Sequence, residues 1–256
     1  MQQDYDWFID NFKRVTGIDL NKYKRPQMER RLTALCSKRG YRDFGEYLDA
    51  ASRDQQLLDE LLDRMTINVS EFFRNRTRWD ALAGIVPSLI RNQRMKVWSA
   101  ACSTGQEPYT LMLLLSRILP VSGVSLLATD IDDRALRLAK QGVYSTEELS
   151  VIDADLRNKY FHEVNSHQMQ VTDELRSRIE FRKHNLLEQS FDSDFDLIVC
   201  RNVLIYFTDQ AKDLLYHKFS QALRSGGLLF VGSTEQIFHA ETYRFKQIQP
   251  FFYQKL

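Results

Sequence analysis

A few side chains in this 256-residue chain stand where a charged ligand can be gripped. Asp130 closes the apolar run LLATD, Glu107 lies inside VWSAACSTGQEPY at 97–109, and Arg74 and Arg201 follow TINVSEFF and FDLIVC. A carboxylate at a strand end can accept hydrogen bonds from both hydroxyls of a ribose, and a guanidinium can hold a carboxylate through two parallel bonds. Residues 97–100 read as the end of a buried strand, 101–105 as a tight turn of small residues, and 111–119 as an apolar helix with Pro108 in its first turn. Strand, small-residue turn and helix form the opening unit of a nucleotide-binding α/β domain. Gly105 is the only glycine of that turn and no Walker lysine follows, so the loop suits an adenosine ligand without a pyrophosphate. Asp130 stands 25 residues beyond Gly105 at the end of the second strand. We read it as the ribose acceptor, against the competing role of capping the helix that begins near Asp132.

The bulk properties narrow the class. The chain can bury a substantial core in one large domain, or one large and one small. A net charge of +1 offers no general attraction to nucleic acid or to a membrane surface. Cys36, Cys102 and Cys200 lack metal-ligand spacing and fall in apolar stretches, as buried thiols in a reducing compartment do; no metal site is expected. MQQDYDWF has no signal-peptide character and no apolar run is long enough to span a bilayer, so a cytoplasmic protein without membrane insertion is expected.

Periodicity supplies the elements that must position those side chains. Four apolar stripes at helical spacing fill the first 65 residues: Tyr5, Phe8, Phe12 and Val15; Met28, Leu32, Leu35 and Cys36; Phe44, Tyr47, Leu48 and Ala51; Leu57, Leu58, Leu61, Leu62 and Met65. Gly17 and Gly40 are stop signals, Pro26 opens the second helix, and Asp43 with Glu46 has capping-box spacing. Trp79, Leu82, Ile85, Val86 and Leu89 lead into the first strand, and Ala135, Leu136 and Ala139 mark the helix after the second. Residues 144–178 exceed a regular crossover and read as an inserted subdomain, a helix with a short hairpin. Residues 179–185 and 195–200 are the third and fourth strands, 209–224 a helix closed by Gly226 and Gly227, and 228–231 a fifth strand. Alternation at 243–248 and 251–255, with Pro250 between, predicts a terminal β-hairpin. Asn185 and Leu186 end the third strand, where an adenine can be recognised and packed; a turn asparagine is the equal alternative. Arg201 and Asn202 lie at the carboxyl end of the fourth, the ligand side of an open parallel sheet.

The second helix is locally basic. Lys22, Lys24, Arg25, Arg30, Arg31, Lys38 and Arg39 face a single acid, Glu29, within that stretch. Charge runs of this kind are commonly a solvated face; the functional reading is contact with an acidic partner.

Three segments together, TINVSEFFR at 66–74, ACSTGQEPY at 101–109 and CRNVLIYF at 200–207, resemble the signatures of the chemotaxis receptor methyltransferases, the CheR family, in matching order and spacing over essentially the whole chain. The resemblance implies an α/β class protein with a receptor-docking helical bundle over 1–70. A doubly wound, Rossmann-like S-adenosylmethionine-dependent methyltransferase domain would follow over 71–256. It implies methyl transfer to glutamate side chains on the cytoplasmic helices of chemoreceptors, by a protein expected to act as a monomer. Carried over by position, Asn68, Ser70 and Arg74 contact the methionine end of the cofactor, Glu107 lies near its amino group, Asp130 takes the ribose, and Asn185 with Leu186 takes the adenine. Arg201 and Asn202 line the methyl-transfer cleft, with Tyr206 just beyond. Arg74 and Tyr206 orient carboxylates rather than move protons, and the seven cations of the second helix meet the glutamate-rich receptor. Gln106 departs from the glutamate of many relatives. The polar stretch 162–171 lacks the glycine-containing loop with which some relatives hold a receptor pentapeptide, so a form independent of that tether is expected.

The chemistry is consistent with this assignment. A glutamate side chain, with a reference pKa near 4.3, is already ionised at neutral pH and needs no general base. Competing readings are a methyltransferase for another nucleophile, such as an RNA base, and a non-catalytic S-adenosylmethionine-binding signalling module. Balanced charge weighs against the first, and the intact set Arg74, Glu107, Asp130 and Tyr206 against the second. A nicotinamide oxidoreductase fails on the glycine pattern.

Overall fold

The computed structural model describes residues 2–66 and 69–256, and the chain divides into two units. The first contains helices α1 (Gln2–Thr16), α2 (Arg25–Arg39), α3 (Phe44–Arg53) and α4 (Gln55–Thr66). Each of the four apolar stripes lies on one of them. Tyr5, Phe8, Phe12, Phe44 and Tyr47 are buried to 6% exposure or less, and the Phe8 ring lies within about 6 Å of those of Tyr5, Phe12 and Phe44. Val15, placed on the first stripe, is 39% exposed instead. Asp43 caps α3 by accepting the Glu46 N–H at 2.8 Å; the Glu46 carboxylate reaches back to the N–H of Arg42 rather than of Asp43.

The same unit takes in a segment remote in sequence, Leu204–Leu214. The Lys24 N–H donates to the carbonyl of Tyr206 at 2.8 Å, and the Thr208 N–H to the carbonyl of Lys22 at 2.9 Å. Tyr23 and Phe207 form an antiparallel bridge, and their rings meet edge-on at 5.0 Å. A division by chain order alone, at 70/71, misses this segment.

The second unit holds α5 (Arg76–Ile85), β1 (Met95–Ala100), α6 (Gln106–Leu115), β2 (Val124–Asp130), α7 (Asp133–Gln141), β3 (Val143–Ser145), α8 (Ala154–Tyr160), β4 (Phe161–Asn165), β5 (Gln168–Val171), α9 (Asp173–Arg176), β6 (Ile179–Lys183) and β7 (Phe195–Cys200). Helix α10 (Asp209–Ala222) spans the boundary between the units, and β8 (Leu223–Val231), β9 (Phe245–Gln249) and β10 (Phe252–Lys255) follow. The main sheet has seven strands in the order β6-β2-β1-β7-β8-β10-β9. The first five are parallel, and the β9–β10 hairpin adds its second strand antiparallel to β8. Every residue of β7 is buried, as a central parallel strand requires. The order reverses between β1 and β7, which puts the ligand crevice of such a sheet at their carboxyl ends.

Two expectations change in detail. The last helix stops at Ala222 rather than Arg224, and Gly226 and Gly227 lie inside β8. Leu223 already pairs with Phe195, and the register shifts between Phe195 and Leu197. Gly226 takes a left-handed φ of +75°, and a Cβ on Gly227 would stand 2.9 Å from the Phe195 carbonyl oxygen. These glycines therefore serve a strand irregularity, not a helix cap. The insertion holds the expected helix and hairpin, and β3 joins them in a three-stranded sheet of order β3-β5-β4.

Candidate active site

The loop after β1 is built by backbone geometry that few sequences tolerate. Ala101, Ser103 and Gly105 all have positive φ, +98° at Gly105. A Cβ on Gly105 would stand 2.7 Å from the Tyr144 hydroxyl and 2.9 Å from the Ala139 Cβ, so glycine here allows both the turn and the close approach of α7. Tyr144 donates its hydroxyl to the Thr104 carbonyl at 2.8 Å, and Tyr109 to the Ala139 carbonyl at 2.8 Å, fastening the loop to the next unit of the sheet. Gly105 caps α6, which starts at Gln106, so Pro108 falls third in the first turn, where its absent N–H costs nothing.

Asp130 ends β2, buried. Its two oxygens accept the N–H of Ser103 at 2.7 Å and of Asp132 at 3.0 Å, which ties the two strand-end loops together. The capping role belongs to Asp132, which accepts from Arg134 and Ala135. Burial pushes the Asp130 carboxyl up to about 6, against those backbone bonds. The backbone N–H groups of Ser103, Ile131 and Asp132 take up part of the carboxylate's accepting capacity, and what remains suits a further donor such as a ribose hydroxyl.

Glu107 faces the same end of the sheet. One oxygen accepts the Ser99 hydroxyl at 2.8 Å and the other stands 3.8 Å from the Arg201 guanidinium. Burial pushes its carboxyl up to about 7 despite both, with Arg74 also opposing the rise. A largely buried carboxyl, 13% exposed and held near neutrality, can ionise against an incoming cation.

Arg201 does not line a cleft with its side chain, which is 2% exposed. Its guanidinium lies between the rings of Trp79 and Phe230, at 5.1 and 4.8 Å, and donates to the Arg74 carbonyl at 2.9 Å and the Asn75 side-chain oxygen at 3.1 Å. Arg201 therefore works from beneath, holding the turn that presents Arg74. That turn carries positive φ at Phe73 and Asn75. The half-buried Arg74 side chain donates to the Val69 carbonyl at 3.3 Å. Ser70 is half-buried and lies well before α5, so it does not cap that helix. Asn68 lies outside the described residues.

Asn185 accepts the Leu187 N–H on its side-chain oxygen at 3.0 Å, the turn role that competes with adenine recognition. Leu186 is buried beside it. Asn202 has a φ of +60° and its N–H donates to Glu235 at 2.7 Å. The Glu235 carboxylate also accepts the Gly232 N–H at 2.7 Å, so one buried acid joins the ends of β7 and β8. Sequence reasoning missed it, because Glu235 lies in the loop beyond the end of β8 whereas Asp130 itself closes β2. Gln106 accepts from the Thr104 hydroxyl at 2.8 Å and donates to Glu148 at 3.1 Å. An amide supplies both senses there, where a carboxylate would face another carboxylate. Among the described residues, no group of histidine, cysteine and acidic side chains gathers to hold a metal.

In the helical unit the basic residues divide. Arg25 pairs with Asp6 at 2.7 Å and Glu29 at 3.3 Å, and Arg39 with Glu60 at 2.5 Å. Counting along α2 cannot see acids supplied by α1 and α4, so the surface is less positive than the local count. Arg31 is half-buried and bonded to the Met65 carbonyl, and Arg30 and Lys38 are exposed. Lys22 and Lys24 give their backbones to the Leu204–Leu214 segment. Tyr206 is half-buried in that segment.

The comparisons with known proteins agree over both units. The family model described as CheR methyltransferase, all-alpha domain, matches residues 3–66, and that of the CheR methyltransferase SAM-binding domain matches residues 68–252. The chemotaxis protein methyltransferase of Listeria innocua is 42% identical over 258 residues, covering 100% of this chain and 98% of its own length. Chemotaxis protein methyltransferase 2 of Pseudomonas aeruginosa is 35% identical over 93% of this chain and 88% of its own length. The Borreliella burgdorferi chemotaxis protein methyltransferase is 33% identical over 86% and 83%.

Proposed function

The chain belongs to the CheR methyltransferase family, with its all-α and S-adenosylmethionine-binding domains, and on that premise we propose that it esterifies glutamate side chains on the cytoplasmic helices of chemoreceptors. The observation that carries this reading is the convergence of the Gly105 loop, Asp130 and Glu107 at the carboxyl ends of β1 and β2. These residues fit an adenosine ligand that ends in an amino acid. Asp130 offers oxygens to ribose hydroxyls, and Glu107 offers a buried carboxyl whose ionisation an ammonium group stabilises. Bound S-adenosylmethionine supplies a methyl group on a positively charged sulfur. A glutamate carboxylate oxygen forms the new C–O bond as the C–S bond breaks, and its electron pair leaves with sulfur as S-adenosylhomocysteine. No proton moves, so no side chain has to act as a base.

The protein contributes alignment and exclusion of water. An anion and a cation cancel in the transition state, which a dry crevice favours over bulk water. Arg74, held by the Arg201 strut, orients carboxylates, and Tyr206 contributes to the same task. Asn68, Ser70, Asn185, Leu186 and Asn202 complete the cofactor's surroundings. Lys22, Lys24, Arg30 and Lys38 offer the acidic receptor helices a positive face, and binding should weaken as salt rises. The glycine-free hairpin of β4 and β5 supports action without a pentapeptide tether.

The test is transfer of labelled methyl from S-adenosylmethionine into receptor-containing membranes, followed by mild alkali. Label released as methanol is expected. Alkali-stable label overturns the ester chemistry, and no label with intact cofactor binding favours a signalling module.

A further inference from the structure

Arg31 is one of the seven cations expected to meet an acidic partner, yet its surroundings set it apart. It is half-buried, its Nη1 donates to the Met65 carbonyl at 3.0 Å, and its guanidinium lies 4.8 Å from the centre of the Tyr206 ring. The neighbouring Arg30 is exposed. The guanidinium lies over the Tyr206 ring, is hydrogen-bonded to that side chain and also reaches the Met65 carbonyl; an ammonium keeps the attraction to the ring but lacks the planar fork that makes these contacts together. A charge placed between a ring and a carbonyl is poorly available to a partner arriving from solvent.

Tyr206 depends on the helical unit in a second way. Its carbonyl accepts the Lys24 N–H, and Thr208 returns a bond to Lys22, so two short stretches pair like strands on either side of Tyr23 and Phe207. The backbone at Tyr206 is thus fixed by residues 22–24 and its ring by the first turns of α2 that follow. Residues 200–203, by contrast, belong to the other unit. The signature segment 200–207 is therefore split, and its aromatic end is organised by the N-terminal helices.

We infer that Arg31 is a positioning residue for Tyr206 and not a receptor-docking cation. The inference rests on the reading of Tyr206 as a residue that orients carboxylates during methyl transfer. The N-terminal unit then has two separable duties, one on its exposed cations and one on the Arg31–Tyr206 stack.

The experiment is steady-state methyl transfer to receptor-containing membranes at low and high salt. It uses the full-length protein and its Arg31→Ala, Arg31→Lys, Arg30→Ala and Tyr206→Ala variants, and the double variant Arg31→Ala/Tyr206→Ala. Both Arg31 variants are expected to lose tenfold or more in kcat, with the receptor KM within twofold of wild type. The double variant should be no slower than Tyr206→Ala alone, since neighbours acting as one unit are non-additive. Arg30→Ala should raise KM instead, by a factor that shrinks at high salt. Receptor KM raised in a salt-dependent manner by Arg31→Ala, activity restored by Arg31→Lys, or losses that multiply in the double variant overturn the inference. Should Arg31→Ala fail to accumulate as folded protein, Arg31→Lys decides alone, because it keeps the charge and removes the planar fork that joins the Met65 carbonyl to the Tyr206 ring. Absence of label with wild type overturns the glutamate reading and this inference together. Normal wild-type turnover with multiplicative losses overturns this inference only.

Discussion

Cofactor affinity should vary with pH through Glu107. In the ligand-free protein burial holds its carboxyl up at about 7, against the opposing pull of Arg201 and the Ser99 hydroxyl. An ammonium group set against it favours the ionised form, so binding expels a proton wherever the free protein still carries one. Affinity therefore falls as pH drops below 7 and levels off above it. The ionised fraction is roughly one half at pH 7 and one eleventh at pH 6, so the association constant drops about fivefold over that unit, ~1 kcal/mol. An α-amino group itself deprotonates near pH 8, which sets the upper end of the useful range at about pH 7.5. Calorimetric titration with S-adenosylhomocysteine at about pH 6, 6.5 and 7, in buffers of different ionisation enthalpy, reads both the affinity and the proton released. Glu107→Gln should bind more weakly at pH 7 and lose most of the slope. A weaker limb at lower pH should survive in that variant, from Asp130, whose carboxyl burial holds at about 6. Affinity that stays level between pH 6 and 7, or an unchanged slope in Glu107→Gln, would falsify the placement of a cation against this carboxyl.

Other outcomes follow from the same geometry. Gly105→Ala forces a side chain into a φ of +98° and against Tyr144 and Ala139; it should lower stability by about 1–3 kcal/mol, read as a fall in Tm, and abolish cofactor binding. Gln106→Glu places a carboxylate against Glu148; Tm should drop more at pH 8 than at pH 5, and adding Glu148→Gln should restore it, whereas an unchanged Tm at both pH values refutes the pairing. Glu107 and Asp130 bind their protons more tightly when folded than when unfolded, so between about pH 4.5 and 7 the native state holds the extra proton and stability falls as pH rises. Each opposes folding at neutral pH by on the order of 3 kcal/mol. Denaturant melts of the double variant Glu107→Gln/Asp130→Asn should lose that slope, and its persistence assigns the pH dependence elsewhere.

Much of the fold is legible in the chain because it is written in local pattern. Four apolar stripes mark α1 to α4, the all-apolar FDLIVC marks a central strand, and alternation around Pro250 marks the last hairpin. Asp130 and Arg201 can be placed at strand ends by the same means. What each contacts is another matter. That Arg201 lies against the rings of Trp79 and Phe230 depends on a residue more than a hundred positions away on one side. The acids that neutralise Arg25 and Arg39, Asp6 and Glu60, sit on different helices from their partners. Glu235 resembles any loop acid until the ends of β7 and β8 are seen to meet on it. Local periodicity reports which face is buried, and long-range pairing of polar groups leaves no comparable trace.

The helical unit is discontinuous in the chain, with Leu204–Leu214 as its last piece. During synthesis the four helices leave the ribosome long before that piece exists. At 5–20 residues per second the wait is on the order of ten seconds. The unit must hold its shape through that interval without the segment carrying Tyr206, or remain open until the segment arrives. Genetic separation has the same consequence: an excision ending at residue 68 would remove four helices and strand eleven residues that belong with them. Exchanging the helical unit between relatives therefore calls for grafting both pieces as a matched set.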